Sequence, residues 1–327
     1  MADVARSAGV SLMTVSRVIN DKEGVSAVTR QRVQGQIELL GYRPSSIARG
    51  LATRRTGTLG LVVPDVANPF FADVARGVEH VAYAEGYNVF LCNTEEDPSR
   101  ELAVLDSLEE KRVDGLVLCS SRLGDDELWG VVSRHSTVVL VNRQLPEEGL
   151  YSVLLADETG GRLVVQFLLD AGHREFGFLA GPMVSHSGRE RAKGHRAALV
   201  DAGLVQDERR VRYCVPDVRG GQEAALELLA ACPGITALLC YNDLVAVGAL
   251  QACAELALQV PEDVAVVGYD DIPLAALVTP ALTTCRVPRY RLGTESVRLL
   301  LSQIDGCSEE CAEIVLQPEL VIRASAP

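Results

Sequence analysis

The chain reads as an α/β protein built from a small N-terminal three-helix head, a hinge segment and a larger body of two doubly wound parallel lobes. Three observations predict this. Residues 2–20, ADVARSAGVSLMTVSRVIN, read as two short helices around a glycine turn. From residue 58, apolar β-branched runs recur at intervals of about 20 to 30 residues, room for a crossover helix each time. Charge is divided unevenly. Residues 1–56 carry nine Lys/Arg against four Asp/Glu, net +5, and the remainder nets −18, so the overall −13 joins a basic head to an acidic body. That is the footprint of a molecule of which only a small part meets phosphate.

In the head, Ala2, Val4, Ala5 and Ala8 supply small apolar contacts, Gly9 ends the first helix where a positive φ is needed, and Ser11 caps the second. Val15, Val18 and Ile19 fall on one face of that second helix. Leu12, Met13, Ser16 and Arg17 fall on the other, a slim polar face that fits a major groove. Ser26 caps a third helix with Val33, Ile37 and Leu40 at i, i+4 and i+7, and Gly41 stops it. Gly35 inside that helix costs about 1 kcal/mol relative to Ala. Next, in YRPSSIARGLATRRTG (42–57), Pro44 breaks the chain and Ser45 or Ser46 can cap one short helical turn. Arg43, Arg49, Arg54 and Arg55 concentrate positive charge there. The candidate DNA-facing set is Ser11, Leu12, Met13, Thr14, Ser16, Arg17 and Asn20, with Ser26 and Thr29 at the third helix and Arg49 in the hinge.

The body opens with TLGLVVPD (58–65), YNVFLCN (87–93), GLVLCSS (115–121) and TVVLVNR (137–143). A second series repeats the scheme with EFGFLAG (175–181), VRYCV (211–215), TALLCYND (236–243) and VAVVGYDD (264–271). Ligands of such sheets bind beyond the carboxyl ends of the strands, so the strand tails are the places to look. They end in Asp65, in Asn142 and Arg143, in Asn242 and Asp243, and in Asp270 and Asp271. Carboxylates and amides there can pair with neighbouring hydroxyls of a small polyhydroxylated or heterocyclic ligand. Phe71 can cover its apolar side, while Phe70 reads as core.

Other classes fit poorly. No G-x-G-x-x-G or G-x-x-x-x-G-K-[ST] stands at a strand end, and the five histidines lack triad or metal spacing: His173 sits at a helix end, and His186 and His195 flank a basic helix. An enzyme is therefore not expected, nor a cofactor. Nine cysteines, an odd number, are scattered singly among apolar neighbours such as those of Cys92, Cys119 and Cys240, and read as small buried hydrophobes. Cys307 and Cys311, the nearest pair, lack companions for a metal. No apolar run of about 18 residues and no export signal is visible, so a cytoplasmic protein without a membrane partner is expected and an exported solute-binding protein is not.

The runs DVA-SAGVS-TVSRVIN (3–20), VSAVTRQRV (25–33), LGYRPS (40–45), ARGL (48–51) and RRTGTLGLVVPDVANPFF (54–71) resemble the lac repressor (LacI/GalR) family of bacterial transcriptional regulators. REFGFLAGP (174–182), CYNDLVAVGAL (240–250), VAVVGYDD (264–271) and PALTT (280–284) extend the resemblance over nearly the whole chain. It implies a helix-turn-helix head at 1–43, a hinge helix and linker at 44–56, and a periplasmic-binding-protein-like effector and dimerisation domain at 57–327. Lobe one would hold about 57–157 and 287–313, lobe two about 158–286 and 314–327. It also implies a homodimeric repressor on a palindromic double-stranded DNA operator, controlled by a small effector, sugar-like or alternatively a purine. Leu51 would enter the central base step as a wedge, and Phe71, Arg191, Asn242 and Asp270 would contact the effector, joined by Asp65 and Asn142 from the strand-tail reading.

Three features depart from the family pattern. VPDVRGGQEAA (215–225) lacks an aromatic residue where many members cover the ligand, and Val287 and Pro288 replace polar contacts of some relatives. The first helix also lacks the residues that usually precede and cap it, which would weaken the head or place the true start upstream. Four residues after Arg323 leave no room for the leucine-repeat helix of the family's tetramers, so a dimer is expected.

Overall fold

The computed structural model describes residues 1–42, 55–135, 137–146, 150–307 and 313–326. The chain forms two compact units, Met1–Gly57 and Thr58–Pro327. In the first, α1 (Ala2–Ala8), α2 (Leu12–Ile19) and α3 (Ala27–Leu39) surround a core of Val4, Ala5, Ala8, Val15, Val18 and Val33. Gly9, at φ 62, closes α1 with its N–H on the last carbonyls. Ser11 and Ser26 each accept the N–H of a threonine three residues on, Thr14 and Thr29, and so start α2 and α3. Leu40, expected on the inner stripe of α3, is instead its C-cap and 47% exposed. The helix ends one residue earlier, and Gly41 at φ 59 turns the chain away.

The second unit begins with β1 (Thr58–Val63), α4 (Pro69–Ala84), β2 (Asn88–Asn93), α5 (Pro98–Glu110), β3 (Gly115–Cys119), α6 (Asp125–Val132), β4 (Val138–Val141) and β5 (Tyr151–Leu155). Then follow α7 (Asp157–Asp170), β6 (Phe176–Ala180), α8 (His186–Asp201), β7 (Val211–Tyr213), α9 (Val218–Ala231), β8 (Ala237–Cys240), α10 (Asp243–Glu255), β9 (Ala265–Asp270) and β10 (Thr283–Arg286). The chain returns through α11 (Arg289–Ile304) to β11 (Glu313–Leu316) and ends with β12 (Glu319–Val321). The two six-stranded sheets share one order, β2-β1-β3-β4-β5-β11 and β7-β6-β8-β9-β10-β12. All pairs are parallel except β10 with β12.

Burial explains why these runs are strands. β3, β4, β8 and β9 are buried along their whole length, because helices cover both faces of a parallel sheet. The edge strand β2 is exposed at three of its six positions. Within β1, Leu61 stands beside Leu91 of β2 and Val117 of β3. It is fully buried, as is Leu59; burial of each contributes about 1.5–3 kcal/mol.

Two expectations shift. The strand read at 211–215 stops at Tyr213. The chain also leaves lobe one after Leu316 rather than at 313, since all four residues of β11 pair with β5, from Glu313 opposite Ser152 to Leu316 opposite Leu155. A strand cannot be divided between two sheets. Each sheet has the order 2-1-3-4-5, in which the crossover direction reverses between the first and third strands. The tails of β1 and β3, and of β6 and β8, therefore open a crevice.

Candidate functional site

A narrow cleft lies where those tails meet. Asn68, Phe70 and Phe71 enter it from the start of α4, and Asn68 Oδ1 accepts the Phe70 N–H at 2.9 Å. The two phenyl rings meet edge to face with centroids 5.0 Å apart. Phe70, read as core, lines the cleft together with Phe71. From the loop after β3 come Ser120 and Arg122; lobe two adds Ser187, Arg191, Tyr241, Asn242 and Asp270.

Two buried guanidiniums organise the cleft, one in each lobe. Arg122 makes a forked pair with Glu96, Nε to Oε2 at 2.5 Å and Nη2 to Oε1 at 3.0 Å, and donates to the Ser120 carbonyl at 2.8 Å. Arg191, on α8, donates to Asp157 Oδ1 at 2.8 Å and to the Tyr241 carbonyl at 2.7 Å. Its Nη2 lies 3.7 Å from Asp270 Oδ1. Burial disfavours its charge, but Asp157, Tyr269 and Asp270 outweigh that and its pKa stands above the ordinary arginine value. Burial likewise raises the Asp270 carboxyl, to about 7, although Arg191 pulls the other way.

Backbone and helix packing hold these groups in place. Asp270 ends β9 at φ 108, a conformation that side chains rarely adopt, and such strain collects at ligand sites. Gly161 of α7 and Gly194 of α8 let the two helices touch: a Cβ on Gly161 would meet the Arg191 carbonyl oxygen, and one on Gly194 that of Glu158. Arg289 of α11 bridges the lobes. Its Nε donates to Asp73 Oδ2 at 3.0 Å, and its Nη1 donates to the Asp271 carbonyl at 2.6 Å and to that of Asp270.

Of the effector candidates, Phe71, Asn142, Arg191, Asn242 and Asp270 line one cleft. Asp65 does not. Its Oδ1 accepts the Ala67 N–H at 2.9 Å and shapes the turn after β1, so a tail position alone does not aim a side chain inward. Arg143 also turns away, to the Leu123 carbonyl at 3.1 Å and Asp125 at 2.6 Å. Asn242 caps α10 through Val245 and donates to the Pro216 carbonyl at 3.3 Å. Asn142 Oδ1 and Ser187 Oγ are buried without a hydrogen-bond partner among the described residues, and each needs one. Sequence reasoning passed over Glu96, Ser120, Arg122, Ser187 and Tyr241. The signal for Ser120, Arg122 and Tyr241 was their place just beyond the switch-point strands.

On the head, the structure separates capping from reading. Ser11 and Thr14 bond to each other at 2.9 Å, as do Ser26 and Thr29. Asn20 Nδ2 donates to the Ser16 carbonyl at 2.9 Å and closes α2. Leu12 at 53% exposure, Met13 at 67% and the exposed Arg17 are left free on the outer face. Arg49 and Leu51 lie outside the described residues. His195 does not flank α8 but sits within it. Among the described residues, no group of three or more His, Cys, Asp or Glu could hold a metal, and no helix is long and apolar enough to cross a membrane. Cys92 is only partly buried, whereas Cys119 and Cys240 are buried as expected; Cys307 is exposed, and Cys311 lies outside the described residues.

A helix-turn-helix head and a two-lobed body with a polar cleft at its switch-point strand tails together define a ligand-responsive DNA-binding regulator. Residues 1–45 match the family of bacterial regulatory proteins of the lacI type, and residues 56–324 match the periplasmic binding proteins and sugar binding domain of the LacI family. The chain belongs to the LacI family of transcriptional regulators. It is 38% identical to the ribose operon repressor of Escherichia coli (strain K12) over 329 residues, covering 100% of this chain and 99% of the relative. The lac repressor dimer bound to operator and the anti-inducer ONPF superimposes with a TM-score of 0.88 at 29% identity, covering 99% of this chain and 98% of that one. The transcriptional regulator CelR in complex with cellobiose has a TM-score of 0.76 at 34% identity, with 98% of each chain covered. These relatives are regulators of transcription, not enzymes.

Proposed function

We propose that the chain is a homodimeric repressor that acts in the cytoplasm, binds a palindromic operator and releases or grips it according to a neutral polyhydroxylated effector in the cleft. The observation that carries the ligand class is the charge pairing: Arg122 is spent on Glu96 and Arg191 on Asp157. No unpaired guanidinium among the described lining residues is left for a phosphate, while Asn142 Oδ1 and Ser187 Oγ await partners. Hydroxyls supply both donor and acceptor, and the Phe70 and Phe71 rings can cover the apolar face of a sugar. The cellobiose complex of CelR points the same way. In this reading Phe71, Asn142, Arg191, Asn242 and Asp270 hold the effector.

Each head would lay α2 in a major groove with Leu12, Met13 and Arg17 toward the bases, while the capping hydroxyls leave the helix starts facing phosphate. Leu51 as a wedge at the operator centre rests on the sequence resemblance. Effector seated between the lobes changes their relation and hence the hinge spacing, a coupling of about 1–3 kcal/mol. A thermal-shift screen against neutral sugars, sugar phosphates and purines tests the ligand class. Neutral sugars should raise the melting temperature; a response confined to phosphates or purines would refute it.

A further inference from the structure

Lobe two contains a second and larger cavity, about 290 Å³, between α8 and the strands β6 and β7. It exists because α8 turns Gly188 and Ala192, one helical turn apart, toward the sheet, and because β7 is only three residues long. Its walls are mainly apolar. Phe178 and the His195 ring lie with centroids 5.4 Å apart along one side. Burial first, then Arg191 and Arg196, push the His195 pKa down to about 3, so that ring adds no charge. At the inner end Tyr241 and Arg191 line both this cavity and the cleft, forming a shared partition.

Three polar features are left over. Arg189 and Arg196 line the cavity, and neither forms an ion pair with a carboxylate among the described residues. Arg189 donates to the Val184 carbonyl at 2.9 Å and Arg196 to the Ala192 carbonyl at 3.2 Å. Gln206 donates through Nε2 to Glu208 at 3.3 Å, but its Oε1 is buried without a partner. Apolar and aromatic walls with a few polar groups among them, at the lower limit of the usual range of about 300–1,000 Å³, describe a small-molecule site.

We propose that this cavity is a second ligand site, separate from the cleft, for a small heteroaromatic acid. The ring lies against Phe178 and His195, the carboxylate meets Arg196, and a ring N–H satisfies Gln206 Oε1. A neutral polyol suits these walls poorly, because its hydroxyls would lose water against apolar side chains. The site stands apart from the operator-binding reading, and its test contains no DNA.

Indole-3-carboxylate is the probe, titrated into the full-length protein by ligand-observed NMR and calorimetry. The parent should bind it. Ala192→Phe, which puts a phenyl ring into the cavity where the probe would lie, should abolish binding, and Arg196→Glu, at an exposed position, should weaken it about tenfold or more. Asp270→Ala, in the cleft, should bind as the parent does. No binding by the parent overturns the proposal, as does unchanged binding by Arg196→Glu. Loss in Asp270→Ala with retention in Ala192→Phe would place the probe in the cleft and overturn it equally.

Discussion

The guanidinium carbon of Arg191 lies 3.6 Å from the centroid of the Tyr269 ring, so a cation and an aromatic face stack inside the wall of the cleft. The same guanidinium is bonded to Asp157 and to the Tyr241 carbonyl. Orientation therefore comes from three directions, and a planar, forked group is needed to use all of them.

Arg191→Lys keeps the charge but loses the fork and the stack. Effector affinity should fall about tenfold or more while operator binding persists. Calorimetry with the ligand found by thermal shift measures it; an unchanged dissociation constant would remove Arg191 from the site.

Gly194→Ala tests the packing behind that arginine. Its Cβ would lie within 3 Å of backbone atoms of Glu158 and Arg162, which cannot move aside as a flexible side chain does. Denaturant unfolding should show a loss of about 1–3 kcal/mol. Effector binding should weaken too, because the α7–α8 contact positions Arg191.

Asp270 predicts a pH dependence of definite sign. Its carboxyl is raised to about 7 in the folded chain, by burial, above its value in the unfolded one. The folded state therefore holds the extra proton. The stability from this group is fully present below the unfolded pKa of about 3.9 and is lost as pH rises through about 7. Asp270→Asn cannot ionise, so its melting temperature should gain on the parent's between pH 5 and pH 8. A constant difference across that window would contradict the buried carboxyl.

On the head, Arg17→Ala should cost about 1–3 kcal/mol in specific operator binding. Exchanging Leu12 and Met13, both exposed, should change the preferred bases in a binding-site selection. Substituting Ser11 should instead lower the thermal stability of the head, since its hydroxyl caps α2. Unchanged base preference after the exchange would put another face in the groove.

The edge strand β2 exposes Phe90 at 45% and Leu91 at 49%, and α4 exposes Tyr83 at 78%. Large apolar groups gathered at a sheet edge suit a partner subunit. Light scattering at micromolar concentration should give twice the chain mass of 35.1 kDa. Phe90→Lys with Leu91→Glu should shift the protein toward monomer and weaken operator binding; a dimer unaffected by both changes would move the interface elsewhere.

Local rules determined much of this protein from its sequence. Gly9, Ser11, Ser26 and Gly41 punctuate the head because turn and cap chemistry is decided within three or four residues. Runs such as TLGLVV and AVVGYD declare buried parallel strands through largely apolar content with no alternation. Periodicity marked Val15 and Val18 as inward and Leu12 and Met13 as outward. Which strand tails face a ligand was decided only in three dimensions. Asp65 and Arg143 have the right residue types at tail positions, yet one spends its carboxylate on a turn and the other its guanidinium on its own lobe. Arg122 and Glu96, separated by 26 residues, meet because β1 stands between β2 and β3. The cavity beneath α8 belongs to that second kind of fact: Gly188, Ala192, Gln206 and Tyr213 carry no shared signal along the chain, and only the packing of a helix over a short edge strand leaves the space between them.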